Sequence, residues 1–281
     1  MSQSATLRAF LEAHEAVVKV RISRVLGSAP RAEGTEMFVA SGGVFGTIGG
    51  GQLEFRVIDA ARALLERGDA ADVLDLPLGP EIGQCCGGRV EVSLSCMSAQ
   101  DKEAAVSVAA REDARQPSVY VLGAGHVGRA LCDLFQHMPV RCVLVDQREE
   151  ELAQCAAQVE QCLTALPEAE ITSAPDGSAF IVTTHDHGLD FLLASTALGR
   201  EDATYVGLIG SATKRANFRS WVQRHCDGVD VARLVCPIGA GADKDKRPAV
   251  IAAMTVAEVM AALSIATQCD ADIPVRHFAA Q

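Results

Sequence analysis

Leu7, Phe10, Leu11 and Ala13 recur at helical spacing and predict a short amphipathic helix near the start of the chain. Residues 16–26 then alternate apolar and polar positions through Val18-Lys19-Val20-Arg21-Ile22, the period of a half-buried strand. Thr35 to Ala40 and Val44 to Ile48 predict two more short strands, with Ser41-Gly42-Gly43 as the hairpin turn between them. Leu53, Val57, Ile58, Ala61 and Leu64-Leu65 share one face of a helix. Strands follow over Val73 to Leu76 and Arg89 to Leu94. Residues 98–116 are polar, charged and alanine-rich, and predict a helix that runs into a linker, so a domain boundary is placed after residue 115.

From Gln116 onward the pattern changes. Apolar runs at residues 118–122, 140–145, 179–184, 204–209 and 234–238 read as buried strands, and residues 159–163 continue the alternation as a further strand. Helical stretches over 129–138, 189–198 and 213–225 separate them. A last helix opens at Pro248, a residue suited to a first helical position, and runs to about Ile265. It is apolar almost all round and is therefore expected to be buried. Strands that alternate with helices predict a parallel sheet. The expected fold class is α/β: an N-terminal mixed α/β domain over residues 1–115, then a Rossmann-like doubly wound parallel sheet domain over 116–281.

Composition narrows the function classes. A net charge of −11 over 281 residues argues against nucleic acid and against an anionic membrane surface. No apolar run is expected to span a bilayer, and Met-Ser-Gln-Ser-Ala-Thr carries no basic and apolar leader, so a cytoplasmic location is expected. Ten cysteines in such a chain read as reduced thiols, and without a Cys-x-x-Cys pair a structural zinc site is not expected. Cys132, Cys142, Cys155, Cys162, Cys226 and Cys236 fall mostly in apolar segments and fit as small core residues.

Five places carry candidate chemistry. Gly83-Gln84-Cys85-Cys86-Gly87-Gly88, followed by Arg89, sets two adjacent thiols in a glycine cage, where sulfur can act as nucleophile or metal ligand and a cation favours the thiolate. Gly49-Gly50-Gly51 opens a helix; an anion on the free N–H groups and a tight turn without ligand both fit. Gly123-Ala124-Gly125-His126-Val127-Gly128 lies between a strand and a helix, with Asp146 about twenty residues on, the dinucleotide fingerprint in its required setting. His185-Asp186-His187 offers metal ligands or proton carriers, although with no third ligand in sight a helix cap is the simpler reading. Gly210-Ser211 with Lys214 and Arg215 suits a phosphate or a solvated helix face.

Taken together, Gly46–Glu54, Gly83–Gly88, Gly123–Gly128, Thr184–His187 and Tyr205–Ser211 resemble the xanthine dehydrogenase accessory protein family, XdhC, over nearly the whole chain. The resemblance implies a chaperone for the molybdenum cofactor, not an enzyme. Such a protein holds molybdopterin while a terminal oxo ligand is exchanged for sulfur from a cysteine desulfurase, and inserts it into the molybdenum subunit of xanthine dehydrogenase. Cys85 and Cys86 are then expected at the metal. Gly49, Gly50, Gly51, Gln84, Arg89, Gly123, Gly125, His126, Gly128, Asp146, His185, Ser211 and Lys214 complete the expected cofactor-binding set, and the pterin is expected between the two halves. The run Ala240–Arg247 is more charged than the family pattern. A homodimer is expected because two-fold assemblies are commonest. The alternative is an NAD(P)-dependent oxidoreductase, with His126 or His185 as proton donor. A third reading makes Cys85-Cys86 a redox-sensing vicinal pair.

Overall fold

The computed structural model describes residues 3–79, 87–226, 228–239 and 245–271, with side chains to residue 266. The chain divides into two compact units, residues 2–114 and 115–281. The α/β class expected from the hydrophobic pattern is the one observed, with an antiparallel sheet in the first unit and a parallel sheet in the second.

The first unit opens with α1 (Gln3–Ala13) and β1 (Val17–Leu26), followed by β2 (Glu36–Ala40), β3 (Gly43–Gly46), α2 (Gly51–Arg67), β4 (Ala71–Pro77), β5 (Arg89–Cys96) and α3 (Ala99–Ala114). Its strands pair in the order β3-β2-β1-β5-β4. Alternation along β1 sends Val18, Val20 and Ile22 to the side where α2 packs Leu53, Val57, Ala61 and Leu64. On the opposite side Val17, Phe38 and Ala40 meet Leu7 and Leu11 of α1 and Val106 and Ala109 of α3.

Lys102, in the first turn of α3, fastens α1 to this layer. Its ammonium donates to the carbonyls of Leu11 (3.2 Å), in the last turn of α1, and of His14 (2.6 Å) and Glu15 (2.9 Å), just beyond it. All three donors of the ammonium are thereby used. Lys102→Met keeps most of the stem but removes the charge, and is expected to lower stability by about 1.5–3 kcal/mol, the range for hydrogen bonds to charged groups. Urea unfolding of the full chain reads this; a change under about 0.5 kcal/mol would assign the end of α1 to solvent.

The second unit runs β6 (Ser118–Leu122), α4 (His126–Phe135), β7 (Arg141–Asp146), α5 (Glu149–Leu152), β8 (Glu160–Leu163), α6 (Pro167–Ser173), β9 (Ala179–Val182), α7 (His187–Leu198), β10 (Tyr205–Leu208), α8 (Ala212–His225), β11 (Leu234–Val235) and α9 (Pro248–Ala271). All pairings in its sheet are parallel, in the order β11-β10-β9-β6-β7-β8. Counted from β6, that is 3-2-1-4-5-6, the order of dinucleotide-binding sheets. The last strand is shorter than the expected 234–238, since pairing with β10 covers only Leu234 and Val235.

One face of this sheet carries α4 and α9, the other α6, α7 and α8. Cys132 of α4 touches both Cys142 of β7 and Cys155 beyond α5, and none of the three is in a disulfide. The contact with Cys142 pushes the Cys132 thiol far above the ordinary range, and contact with Cys132 together with burial does the same for Cys155.

Two expectations about the last helix need correction. Pro248–Ala266, at a mean hydropathy of 2.0, is long and apolar enough to cross a membrane. It is also not buried all round: Ala252, Thr255, Val256, Val259 and Leu263 form one buried stripe, whereas Ile265 is 64% exposed. Alanine on the outer face makes the sequence apolar in every direction without requiring burial in every direction. Glu258, on the same helix, accepts from Tyr205 Oη (2.9 Å) and from the Gly239 N–H (3.2 Å), which ties α9 to β10 and to the turn after β11.

Candidate functional site

In the second unit the strand order reverses at β6, whose neighbours are β7 and β9, and ligands bind such sheets outside the strand ends at that reversal. The glycines of the loop from β6 to α4 have different jobs. Gly123 has φ +115°, and a Cβ there would lie 2.8 Å from the Thr183 backbone. A Cβ on Gly128 would meet the Gly123 carbonyl oxygen at 1.9 Å. Those two allow the chain to close on itself. Gly125, the residue before α4, instead faces open space within 4 Å, so a ligand can reach the first N–H groups of the helix. His126 is exposed on that first turn.

Asp146, 6% exposed at the end of β7, is held by four donors. One carboxylate oxygen accepts from the Ala124 N–H (2.7 Å) and Arg148 Nη2 (3.0 Å), the other from the Arg148 N–H (2.9 Å) and Nε (3.0 Å). Burial raises its pKa, but Arg148 and the backbone donors more than offset this and hold it below the usual carboxylate value. The chain of contacts then closes on itself. Arg148 faces Glu151 at 3.7 Å, Glu151 accepts from Arg129 (2.7 Å), and Arg129 donates to the Ala124 carbonyl (2.6 Å). Both polar groups of Ala124 are thereby fixed, and with them the shape of the glycine loop. The spacing argument found Asp146 but not Arg129, Arg148 or Glu151; the Asp-x-Arg step after the strand was the available signal.

A narrow crevice, open to solvent, lies at these strand ends, with Gly123, Asp146 and His185 on its wall. His185 and His187 are exposed, and Asp186 caps α7 by accepting from the Leu189 N–H at 2.9 Å. Among the described residues no group of three His, Cys, Asp or Glu side chains could hold a metal ion.

Lys214, expected to face a phosphate, is turned to Asp190, to which its ammonium donates. It also donates to the Ile209 carbonyl at 2.9 Å. Asp190 is 1% exposed and accepts in addition from Thr184 N–H (3.1 Å) and Oγ1 (2.7 Å). Ser211 caps α8. These residues knit together the turns that follow β9 and β10, and Lys214 has little charge left to offer an anion.

In the first unit the triple glycine is a turn with a carboxylate of its own. Gly49, Gly50 and Gly51 all have positive φ. Glu54, from the first turn of α2, accepts from Thr47 Oγ1 and from the N–H groups of Ile48 (3.1 Å) and Gly50 (3.1 Å), while the Gly49 N–H bonds to Thr47 Oγ1 (3.1 Å). The N–H groups of Gly49 and Gly50 that an external anion would use are thus engaged within the turn. An acid in the first turn after three glycines was the signal in the sequence.

Gln84, Cys85 and Cys86 lie outside the described residues. The residues that flank them are clasped by backbone bonds, Leu78 N–H to the Gly88 carbonyl (2.8 Å) and Gly87 N–H to the Leu78 carbonyl (2.9 Å). Gly88 packs so closely that a Cβ would meet the Ser28 carbonyl oxygen at 2.1 Å, and a Cβ on Gly49 would meet Pro30 at 2.5 Å. The turns around residues 27–31, 47–51 and 87–88 therefore gather at one edge of the sheet. Gly50 and Gly87 there face open space. Arg89, expected to favour a thiolate, instead forms a bidentate pair with Asp75 across β4 and β5 (2.5 and 2.6 Å). Arg31, at the tip of the first turn, is exposed.

Comparison with known proteins gives matches in both units. Residues 10–76 match the XdhC and CoxI family, and residues 119–259 match the XdhC Rossmann domain. "Uncharacterized protein YqeB" of Escherichia coli (strain K12) is 26% identical over 256 residues, covering 83% of this chain and 41% of YqeB, so the chain spans less than half of that relative. The crystal structure of a xanthine dehydrogenase from Bacillus halodurans superposes with a TM-score of 0.78 at 16% identity, covering 98% of each chain, a likeness of fold.

Proposed function

The chain belongs to the XdhC family, and on that premise we propose that it is an accessory protein of xanthine dehydrogenase that carries molybdopterin as cargo. The carrying observation is the family match in both units, at residues 10–76 and 119–259. The open glycines beside the ends of the cysteine loop support it. Gly50 and Gly87 leave room for a flat, polar ligand beside the backbone, and the clasp at Leu78 sets the loop ends at that spot. Molybdenum held by a dithiolene is soft and takes thiolate, so Cys85 and Cys86 are the residues proposed to hold it, with Gln84 hydrogen-bonding the pterin. With Arg89 occupied by Asp75, its part in favouring the thiolate is not carried forward.

In this reading the protein shelters the cofactor during sulfuration by a cysteine desulfurase and delivers it to the molybdenum subunit of the dehydrogenase. It acts in the cytoplasm, as a homodimer, without turnover of its own. The test is to purify the full chain from molybdate-fed cells, measure molybdenum and pterin, and mix it with cofactor-free xanthine dehydrogenase. Equimolar metal and pterin, with activation of the dehydrogenase, is expected. Protein free of both, or a dehydrogenase left inactive, overturns the proposal.

A further inference from the structure

Charge is unevenly spread over this chain, and α8 runs against the mean. Acids outnumber lysine and arginine by 36 to 25, yet Ala212–His225 carries Lys214, Arg215, Arg219 and Arg224 and no acidic residue. Lys214 is spent on Asp190, and Arg224 folds back on the Ser220 carbonyl at 2.9 Å. Arg215 and Arg219 are exposed, and among the described residues neither side chain has an ion-pair or hydrogen-bond partner. Elsewhere arginines find carboxylates: Arg89 with Asp75, Arg129 with Glu151, Arg141 with Glu160 and Arg200 with Asp202. Asp230, in the turn before β11, is engaged with the Ala232 N–H at 2.9 Å.

Arg215 and Arg219 stand four residues apart, so their Cβ atoms lie about 5–6 Å from each other on one face, where like charges repel. With Ala212, Ala216 and Val231 they line an open groove, apolar on its floor and cationic on its rim. The mount is rigid: Ser211 caps α8, Phe218 and Val222 are buried, and Phe218 stacks on Trp221. We propose that this groove docks an acidic segment of the protein that receives the cargo, each guanidinium taking one of two carboxylates spaced a helical turn apart, or two residues apart on a strand. This rests on the accessory reading, in which a recipient is the partner that a carrier must meet and leave. The planar fork of arginine takes a carboxylate by two parallel N–H bonds, which fixes orientation as well as charge. Charged pairs on a rim speed encounter and are loosened by salt, as a reversible handover requires. A second copy is a poor occupant, because two chains of −11 repel at long range, and the same charge disfavours nucleic acid.

The test measures binding of the full chain to cofactor-free xanthine dehydrogenase by biolayer interferometry, at low and at high salt. Arg215→Glu with Arg219→Glu is expected to raise the Kd at least about tenfold and to flatten its salt dependence, with molybdenum, pterin and melting temperature unchanged. The same change of net charge on exposed positions of the first unit, Arg8→Glu with Arg111→Glu, is expected to move the Kd less than about threefold. Undiminished binding by the Arg215 and Arg219 variant overturns the inference, and so does an equal loss from both pairs. Tighter binding of the unaltered chain to a DNA duplex than to the dehydrogenase overturns it too. Dissociation of a dimer by the Arg215 and Arg219 reversal would give the groove to a second copy, against the inference. An unaltered chain that does not bind the dehydrogenase removes the accessory reading and this inference together, whereas intact binding by the reversed chain removes this inference alone. Should the reversed chain melt lower, Arg215→Gln with Arg219→Gln decides in its place, with a loss of at least about threefold expected.

Discussion

Replacing Cys85 and Cys86 together by alanine is expected to strip the purified protein of molybdenum and pterin, to below about a tenth of the unaltered content, while the fold persists. The loss follows from ligand chemistry. Thiolates are the soft donors in this loop, and the glycines beside them offer only backbone. Retention of the fold follows from how the loop is anchored. The clasp between Leu78 and Gly87-Gly88 is made of backbone bonds, and the α2 side of the sheet is built from Val90, Val92 and Leu94, not from the cysteines. Metal analysis and oxidised-pterin fluorescence read the first half of the expectation, circular dichroism the second. If one single variant loses as much as the double, one sulfur holds the metal. A double variant that keeps its full cofactor removes the cysteines from the proposal and leaves the fold-level reading untouched.

Asp190→Ala is expected to destabilise the second unit by about 3–5 kcal/mol, the cost of leaving one partner of a buried ion pair alone. Lys214 is only 11% exposed, and after the substitution its ammonium keeps only the Ile209 carbonyl. Thr184 loses the acceptor of its N–H, while its hydroxyl keeps the Asp186 carbonyl at 3.1 Å. Removing both charges, as Asp190→Leu with Lys214→Met, is expected to cost less, about 1–3 kcal/mol, because no charge is then left buried alone and the loss is confined to the Thr184 N–H and the Ile209 carbonyl. Urea unfolding of the full chain and the two variants measures the coupling. An effect of Asp190→Ala below about 1 kcal/mol would mean that water reaches the pair and that it does not hold the turns after β9 and β10.

The parallel sheet was readable from sequence because its signals are local: an apolar run, a glycine loop, a helix and another apolar run, repeated. Long-range partners were not. The charges of Arg89 and Lys214 are plain in the sequence, yet what each charge does depends on Asp75 and Asp190, fourteen and twenty-four residues away and brought close only by folding. The triple glycine showed the same limit in miniature, since Glu54 stands four residues past Gly50 and fills the turn that an outside anion would use. The last helix misled for another reason. Hydropathy ranks alanine with the apolar residues, although alanine is content on a surface, so the outward face of α9 reads like its inward one.

The three touching thiols behind the glycine loop bear on how the chain can be prepared. Cys132 and Cys155, held protonated by contact and burial, and the buried Cys142 resist oxidation in the native state. In a chain refolding from denaturant the same proximity works the other way. Partly collapsed forms bring the three sulfurs within reach of one another before the core excludes air, and a crosslink made then would lock α4 out of register. Yield after renaturation should therefore rise with added reductant, and material purified natively should need it far less.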